Sequence, residues 1–258
     1  MEAMRDNSNV KSQVKQDAII FIHGGAWRDP NNTFKDFEKL IKNINNELSS
    51  LSSLNNKIEL YSLDYRLSPT VKHPCHLIDV INAINYIIKN INSNLKNLTL
   101  VGHSVGSTLA IQVLDYKKLL NYYNENIDEL DISFIKNLVL LDGIYDIPKL
   151  LDEYPSYLSF INEAFEEKNF NTATQLSISN KDEKNVQIGM YFKFLKKIII
   201  VQSENDELLS LNQTNFFVKW LNSIGIYKFE KILDDFGKHN DVYESDKLKD
   251  LIILNFYK

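Results

Sequence analysis

Six short apolar runs punctuate the chain: AIIFI (18–22), IELYSL (58–63), LTLV (98–101), LVLL (138–141), KIIIV (197–201) and FEKIL (229–233). Each is four to six residues long and largely continuous rather than alternating. A strand with one wet face must alternate apolar and polar side chains, whereas a strand covered on both faces need not. The runs therefore predict buried strands of a parallel sheet. Between them, apolar residues recur at three- and four-residue spacing: Phe34, Phe37, Leu40, Ile41, Ile44 and Leu48, and again Leu77, Ile78, Ile81, Ile84, Ile87 and Ile88. That spacing lines one face of a helix. Segments 106–120, 212–223 and 243–255 read as helices too. Regular alternation of strand and helix predicts an α/β fold, a mostly parallel, doubly wound sheet of six core strands.

One stretch breaks the alternation. Residues 146–196 carry no strand signal and are far longer than an ordinary connection. An aromatic, helical segment, EYPSYLSFINEAFEE, is followed by a polar stretch to Lys184. It reads as a cap inserted into a single domain covering residues 1–258; the alternative is an extension of the helical layer.

Composition narrows the classes of function. The net charge is −5 and the lysines are scattered, without the basic stripe that a nucleic-acid partner calls for. The single cysteine, Cys75, has no intrachain partner, and His73 and His76 flank it too tightly for a zinc site. No metal or cofactor is expected. No apolar run approaches the ~20 residues of a membrane span. The polar opening MEAMRDNSNVKSQVKQ lacks the apolar core of a signal peptide. A soluble, cytoplasmic protein with no membrane partner is the expectation.

The strongest chemical signal is LTLVGHSVGSTLA. Gly102-His103-Ser104-Val105-Gly106 fits G-x-S-x-G between an expected strand and an expected helix, which is the context that gives the pattern meaning. Small residues around Ser104 permit the sharp turn that lifts a serine hydroxyl above the sheet edge, at the positive end of the helix. A serine nucleophile needs a base. Of five histidines, His23 and His103 lie inside glycine turns and His73 and His76 begin a helix, which leaves His239, in the loop DDFGKHNDVY after the last strand. The chain order nucleophile, acid, histidine puts the acid after KIIIVQ, in Ser203-Glu204-Asn205-Asp206-Glu207. Asp206 fits the small-x-x-Asp spacing; Glu204 is the fallback, and Glu207 reads as solvated. The oxyanion needs two or more backbone N–H groups. Val105 offers one, and the loop His23-Gly24-Gly25-Ala26-Trp27 offers the others, Gly25 and Ala26 ahead of Gly24.

With these residues in place, the chain resembles the α/β-hydrolase superfamily in its esterase and lipase branch. The form His23-Gly24-Gly25-Ala26-Trp27 matches HGGxW and is similar to kynurenine formamidases, the fungal ones in particular. The stretches DYRLSP (64–69), LLDGIYDIPKLLDEYPSY (140–157), ENDELLSLNQTN (204–215) and HNDVY (239–243) carry the same likeness. The resemblance implies a Ser104–Asp206–His239 triad that cleaves the formamide of N-formyl-L-kynurenine, in tryptophan degradation toward NAD. The chain departs from that pattern in one respect: hydrolase folds usually begin with two further strands, and only the polar residues 1–17 precede the first core strand here, so a trimmed sheet is expected. The resemblance also suggests a homodimer. A general carboxylesterase is the alternative, and a non-catalytic ligand-binding relative a weaker one. For the substrate's aryl ring, Tyr145, Tyr154, Tyr157, Phe160 and Trp27 could form an aromatic wall, although each taken singly reads as core rather than ligand contact. Arg66 could meet a carboxylate, with an ion pair to Asp64 or a neighbouring loop as the alternative.

Overall fold

A computed structural model describes residues 16–50, 58–166, 170 and 191–257. The six expected strands are present: β1 (Gln16–Ile22), β2 (Ile58–Leu63), β3 (Leu95–His103), β4 (Ile135–Leu141), β5 (Lys197–Ser203) and β6 (Glu230–Asp234). They form one sheet in the order β2-β1-β3-β4-β5-β6. Every neighbouring pair is parallel.

The continuous apolar runs find their reason in the packing. Successive side chains of a strand point to opposite faces. In β1, Ala18, Ile20 and Ile22 enter one core, and Ile19 and Phe21 enter the other. The first core takes helices α2 (Cys75–Tyr86) and α3 (Val105–Leu114), α4 (Tyr116–Tyr123) and α7 (Leu211–Ser223), through Leu77, Ile81, Leu109, Leu119 and Trp220. The second takes α1 (Glu38–Ser50) and α8 (Asp246–Phe256), through Leu40, Ile44, Leu248 and Ile252. Each such Leu or Ile, fully buried, contributes about 1.5–3 kcal/mol relative to exposure. A strand with both faces covered has no use for polar alternation.

Parallel strands send all their carboxyl ends to one edge. The loops after β1, β3, β4, β5 and β6 therefore open side by side there, and they carry residues 23–27, 104, 142, 206 and 239. The chain lays β2 on one side of β1 and β3 on the other. The crevice between β1 and β3 is thus a topological switch point, where open α/β sheets bind their ligands.

Two expectations need correcting. The helix expected over 106–120 is two helices, because Asp115 leaves helical geometry at φ −121°, ψ 27°. Its carbonyl then accepts from the N–H groups of Lys118 and Leu119, starting α4 afresh. Arg66 pairs with Asp79, Nε to Oδ2 at 2.8 Å and Nη2 to Oδ1 at 2.9 Å, and not with Asp64. In the segment 146–196, α5 (Ile147–Glu153) and α6 (Leu158–Ala164) are helical as read; residues 167–169 and 171–190 lie outside the described residues.

Candidate active site

Ser104 sits on the turn between β3 and α3 with φ 53° and ψ −120°. A non-glycine residue pays about 1–3 kcal/mol for such a backbone. The turn is held by the Ser104 N–H donating to Leu141 O at 2.8 Å and by the Ser107 N–H donating to Ser104 O at 3.0 Å. Gly106 is required because α3 crosses β1 closely: a Cβ there would lie 2.2 Å from Ile22 O and 2.6 Å from His23 O. Val105 is the first residue of α3. Its amide is among those a helix leaves without an internal acceptor.

The loop after β1 lies against this turn. A Cβ on Gly24 would come within 3.0 Å of the Ser104 Cβ. Gly25 has φ 89°, and Ala26 and Trp27 follow at 51° and 58°. Two residues of DYRLSP hold the loop. The Tyr65 hydroxyl reaches His23 O at 3.1 Å and Gly24 O at 2.7 Å. In a trans peptide the N–H points opposite to the C=O, so a hydroxyl on the Gly24 carbonyl turns the Gly25 N–H away from Tyr65. His23 stacks on the Tyr65 ring with centroids 4.3 Å apart. Burial lowers the His23 pKa, so the ring is neutral and has one N–H to give. The stronger acceptor is the Asp64 carboxylate, 3.1 Å from Nε2.

Asp206 and His239 meet as expected. His239 Nδ1 lies 2.8 Å from Asp206 Oδ2, and both side chains are almost wholly buried. Gln202 Nε2 donates to the same oxygen at 3.0 Å, and the N–H groups of Leu208 and Leu209 donate to Oδ1 at 2.8 and 2.9 Å. Gln202 is itself held by the Thr214 hydroxyl at 2.9 Å. Glu204 is exposed. Glu207 differs from its solvated reading: its Oε2 accepts the His239 backbone N–H at 2.9 Å. The ring of His103, the residue before Ser104, has its centroid 4.7 Å from that of His239. His103 Nε2 donates to the His239 carbonyl at 2.9 Å.

The other histidines support the elimination. Burial pushes His73 down to about 3 and His76 to about 4, and lowers His103 well below the usual range. Buried neutral rings serve packing. His23 also meets a carboxylate, Asp64, but its ring is fully buried and stacked on Tyr65.

Trp27 is fully buried and packs edge-on against Phe165 with centroids 4.9 Å apart. It shares a cluster with Val105, Ile147, Leu150, Phe160 and Ile161, so α5 and α6 pack directly on the turn that carries Ser104. Tyr145 is core as well, stacked on Phe217. Tyr154 and Tyr157 stack on one another at 4.9 Å at the partly exposed margin of the Trp27 cluster.

Sequence reasoning missed Asp142. It directly follows β4, fully buried at φ 41°, and its Oδ1 accepts the Ser203 N–H at 2.7 Å. A carboxylate oxygen of Asp142 lies within 4.8 Å of ring nitrogens of both His103 and His239. The trio has the spacing of a cation site, but His103 Nε2 and His239 Nδ1 are committed to hydrogen bonds, and the cluster reads as one that handles protons. Burial first, then the charge of Asp206, push the Asp142 carboxyl from its ordinary 3.8 up to about 7. The folded chain thus holds this proton up to about pH 7, while the unfolded chain releases it near 3.8. Between those values the folded state binds more protons, so this group makes stability fall as pH rises, by up to about 1.4 kcal/mol per pH unit, and adds no further slope above the window. Asp142→Asn is expected to remove that part of the fall, measured as melting temperature against pH from 4 to 8 in both proteins.

Residues 7–221 match the BD-FAE family. The kynurenine formamidase of Meyerozyma guilliermondii is 46% identical over 236 residues, covering 91% of this chain and 82% of its own. The chain belongs to the kynurenine formamidase family. The kynurenine formamidase of Saccharomyces cerevisiae is 35% identical over 255 residues, 95% of this chain and 90% of its own. Among solved structures, an inhibited esterase B from Lactobacillus rhamnosis superposes with a TM-score of 0.64 at 15% identity, over 94% of this chain and 76% of its own. That likeness shows an α/β-hydrolase fold. No helix among the described residues is long and apolar enough to cross a membrane.

Proposed function

We propose that the protein hydrolyses the formamide of N-formyl-L-kynurenine to L-kynurenine and formate. The observation that carries the reading is the 2.8 Å Asp206–His239 pair, buried at the same sheet edge as the strained Ser104 turn. Identity of 46% to a kynurenine formamidase selects the substrate class over general esters.

The chemistry runs as follows. His239 Nε2 takes the Ser104 hydroxyl proton as Oγ attacks the formyl carbon. The carbonyl oxygen becomes an oxyanion, stabilised by the N–H groups of Val105, Gly25 and Ala26. Asp206 holds the imidazole in the tautomer with its proton on Nδ1 and stabilises the imidazolium without taking its proton. His239 then protonates the aryl nitrogen, and L-kynurenine leaves. Water, deprotonated by His239, attacks the formyl-enzyme; formate departs and Ser104 regains its proton. No metal or cofactor enters this scheme.

Residues 146–196 are read as a cap within a single domain, supported by the packing of α5 and α6 against Trp27 and Val105. A cytoplasmic homodimer, with a second copy over the β2 edge, and a place in tryptophan degradation toward NAD rest on the family resemblance.

The test of substrate class compares kcat/KM on N-formyl-L-kynurenine with that on a short aryl ester such as phenyl acetate. The formamide is expected to be the better substrate. Far faster turnover of the ester would favour the carboxylesterase reading.

A further inference from the structure

The Asp206–His239 pair accounts for one carboxylate at the imidazole, and a second carboxyl stands beside it with no role in the scheme above. Asp142 reaches this place from β4, between β3 and β5. Its N–H donates to Val201 O at 3.0 Å, and its Oδ1 holds the Ser203 N–H at the start of the loop that carries Asp206. Its Oδ2 is buried and has no hydrogen-bond partner among the described residues. The left-handed backbone at φ 41° adds a local cost to an already expensive burial. A residue chosen only to accept one N–H need not be a buried acid with an orphaned oxygen.

We propose that Asp142 is a positioning residue for the reaction, a second carboxyl whose charge, together with its grip on the Ser203 N–H, governs how readily His239 takes and gives up a proton. This rests on the reading of His239 as the base. The titratable groups that face Asp142 are Asp206 and Glu207 from the loop after β5, His239 from the loop after β6, His103 from the end of β3, and Tyr145 from its own segment. The negative ones oppose ionisation of Asp142, and an imidazolium at His239 favours it. Conversely, a carboxylate at Asp142 favours the protonated form of a nearby imidazole. Where Asp142 is ionised, that stabilises the imidazolium formed during attack.

Asp142→Asn tests this directly. Asparagine keeps the acceptor for the Ser203 N–H, tolerates the left-handed backbone and stays neutral at every pH. Kinetics are measured on N-formyl-L-kynurenine from pH 5 to 9, beside Ser104→Ala and His239→Ala. The acid limb of kcat/KM, which reports the free enzyme's essential base, is expected to move to lower pH by about half a unit or more. Should the asparagine protein fail to fold, Asp142→Gly accepts the same backbone and is expected to shift the limb in the same direction. A limb that stays in place overturns the proposal, whether activity is intact or uniformly reduced, because a merely structural residue gives that result. Activity surviving in Ser104→Ala or His239→Ala overturns the underlying hydrolase reading instead, so the two failures are distinguishable.

Discussion

Ser104→Ala lowers kcat on N-formyl-L-kynurenine by roughly 10⁴- to 10⁶-fold, with KM little changed. The loss corresponds to roughly 5–8 kcal/mol of transition-state stabilisation. Its cause is the missing Oγ: no formyl-enzyme can form, and what remains is a bound substrate facing backbone donors. The fold should not suffer. The Ser104 contacts that hold the turn are its own N–H to Leu141 O and its carbonyl to the Ser107 N–H, and both survive the substitution. Alanine meets the same positive φ that serine already tolerates at 53°. Steady-state kinetics beside a thermal melt separate lost chemistry from lost structure.

The second large effect falls on the acid. Asp206→Asn is expected to lower kcat by roughly 10³- to 10⁴-fold. Asparagine would present an amide N–H to His239 Nδ1 and so favour the tautomer whose proton sits on the wrong nitrogen. Its other contacts conflict as well, since Oδ2 now accepts from Gln202 Nε2 and Oδ1 from the N–H groups of Leu208 and Leu209. Glu204→Gln, an exposed change in the same loop, should leave kcat within about twofold. A crippled Glu204→Gln beside a harmless Asp206→Asn would give the acid's role to Glu204. Kinetics of the two single variants on the same substrate decide it.

The strands were legible because β1, β3, β4 and β5 are covered on both faces, and burial of that kind leaves uninterrupted apolar runs. Ser104 was legible because its turn needs small residues within two positions, a purely local demand. The pairing of Asp206 with His239 followed from chain order and the small-x-x-Asp spacing. The residues that hold the site in shape were not legible. Asp142, Asp64 and Tyr65 act across the sheet edge on partners from other loops, and no local spacing records such a contact. Gln202 was hidden for the same reason, at the end of an apolar strand with its partners at Thr214 and Asp206. The break at Asp115 was missed because apolar residues keep helical spacing on both sides of it. Trp27 could be read either as a substrate contact or as core from HGGxW alone; its burial against Phe165 makes it core.

The most direct measurement of the central claim is the release of L-kynurenine and formate from N-formyl-L-kynurenine by the purified protein. The account predicts equimolar products at a rate far above the uncatalysed reaction, and loss of that rate in Ser104→Ala. Intact protein that releases no kynurenine above background, or Ser104→Ala protein that releases it as fast as the parent, would contradict it.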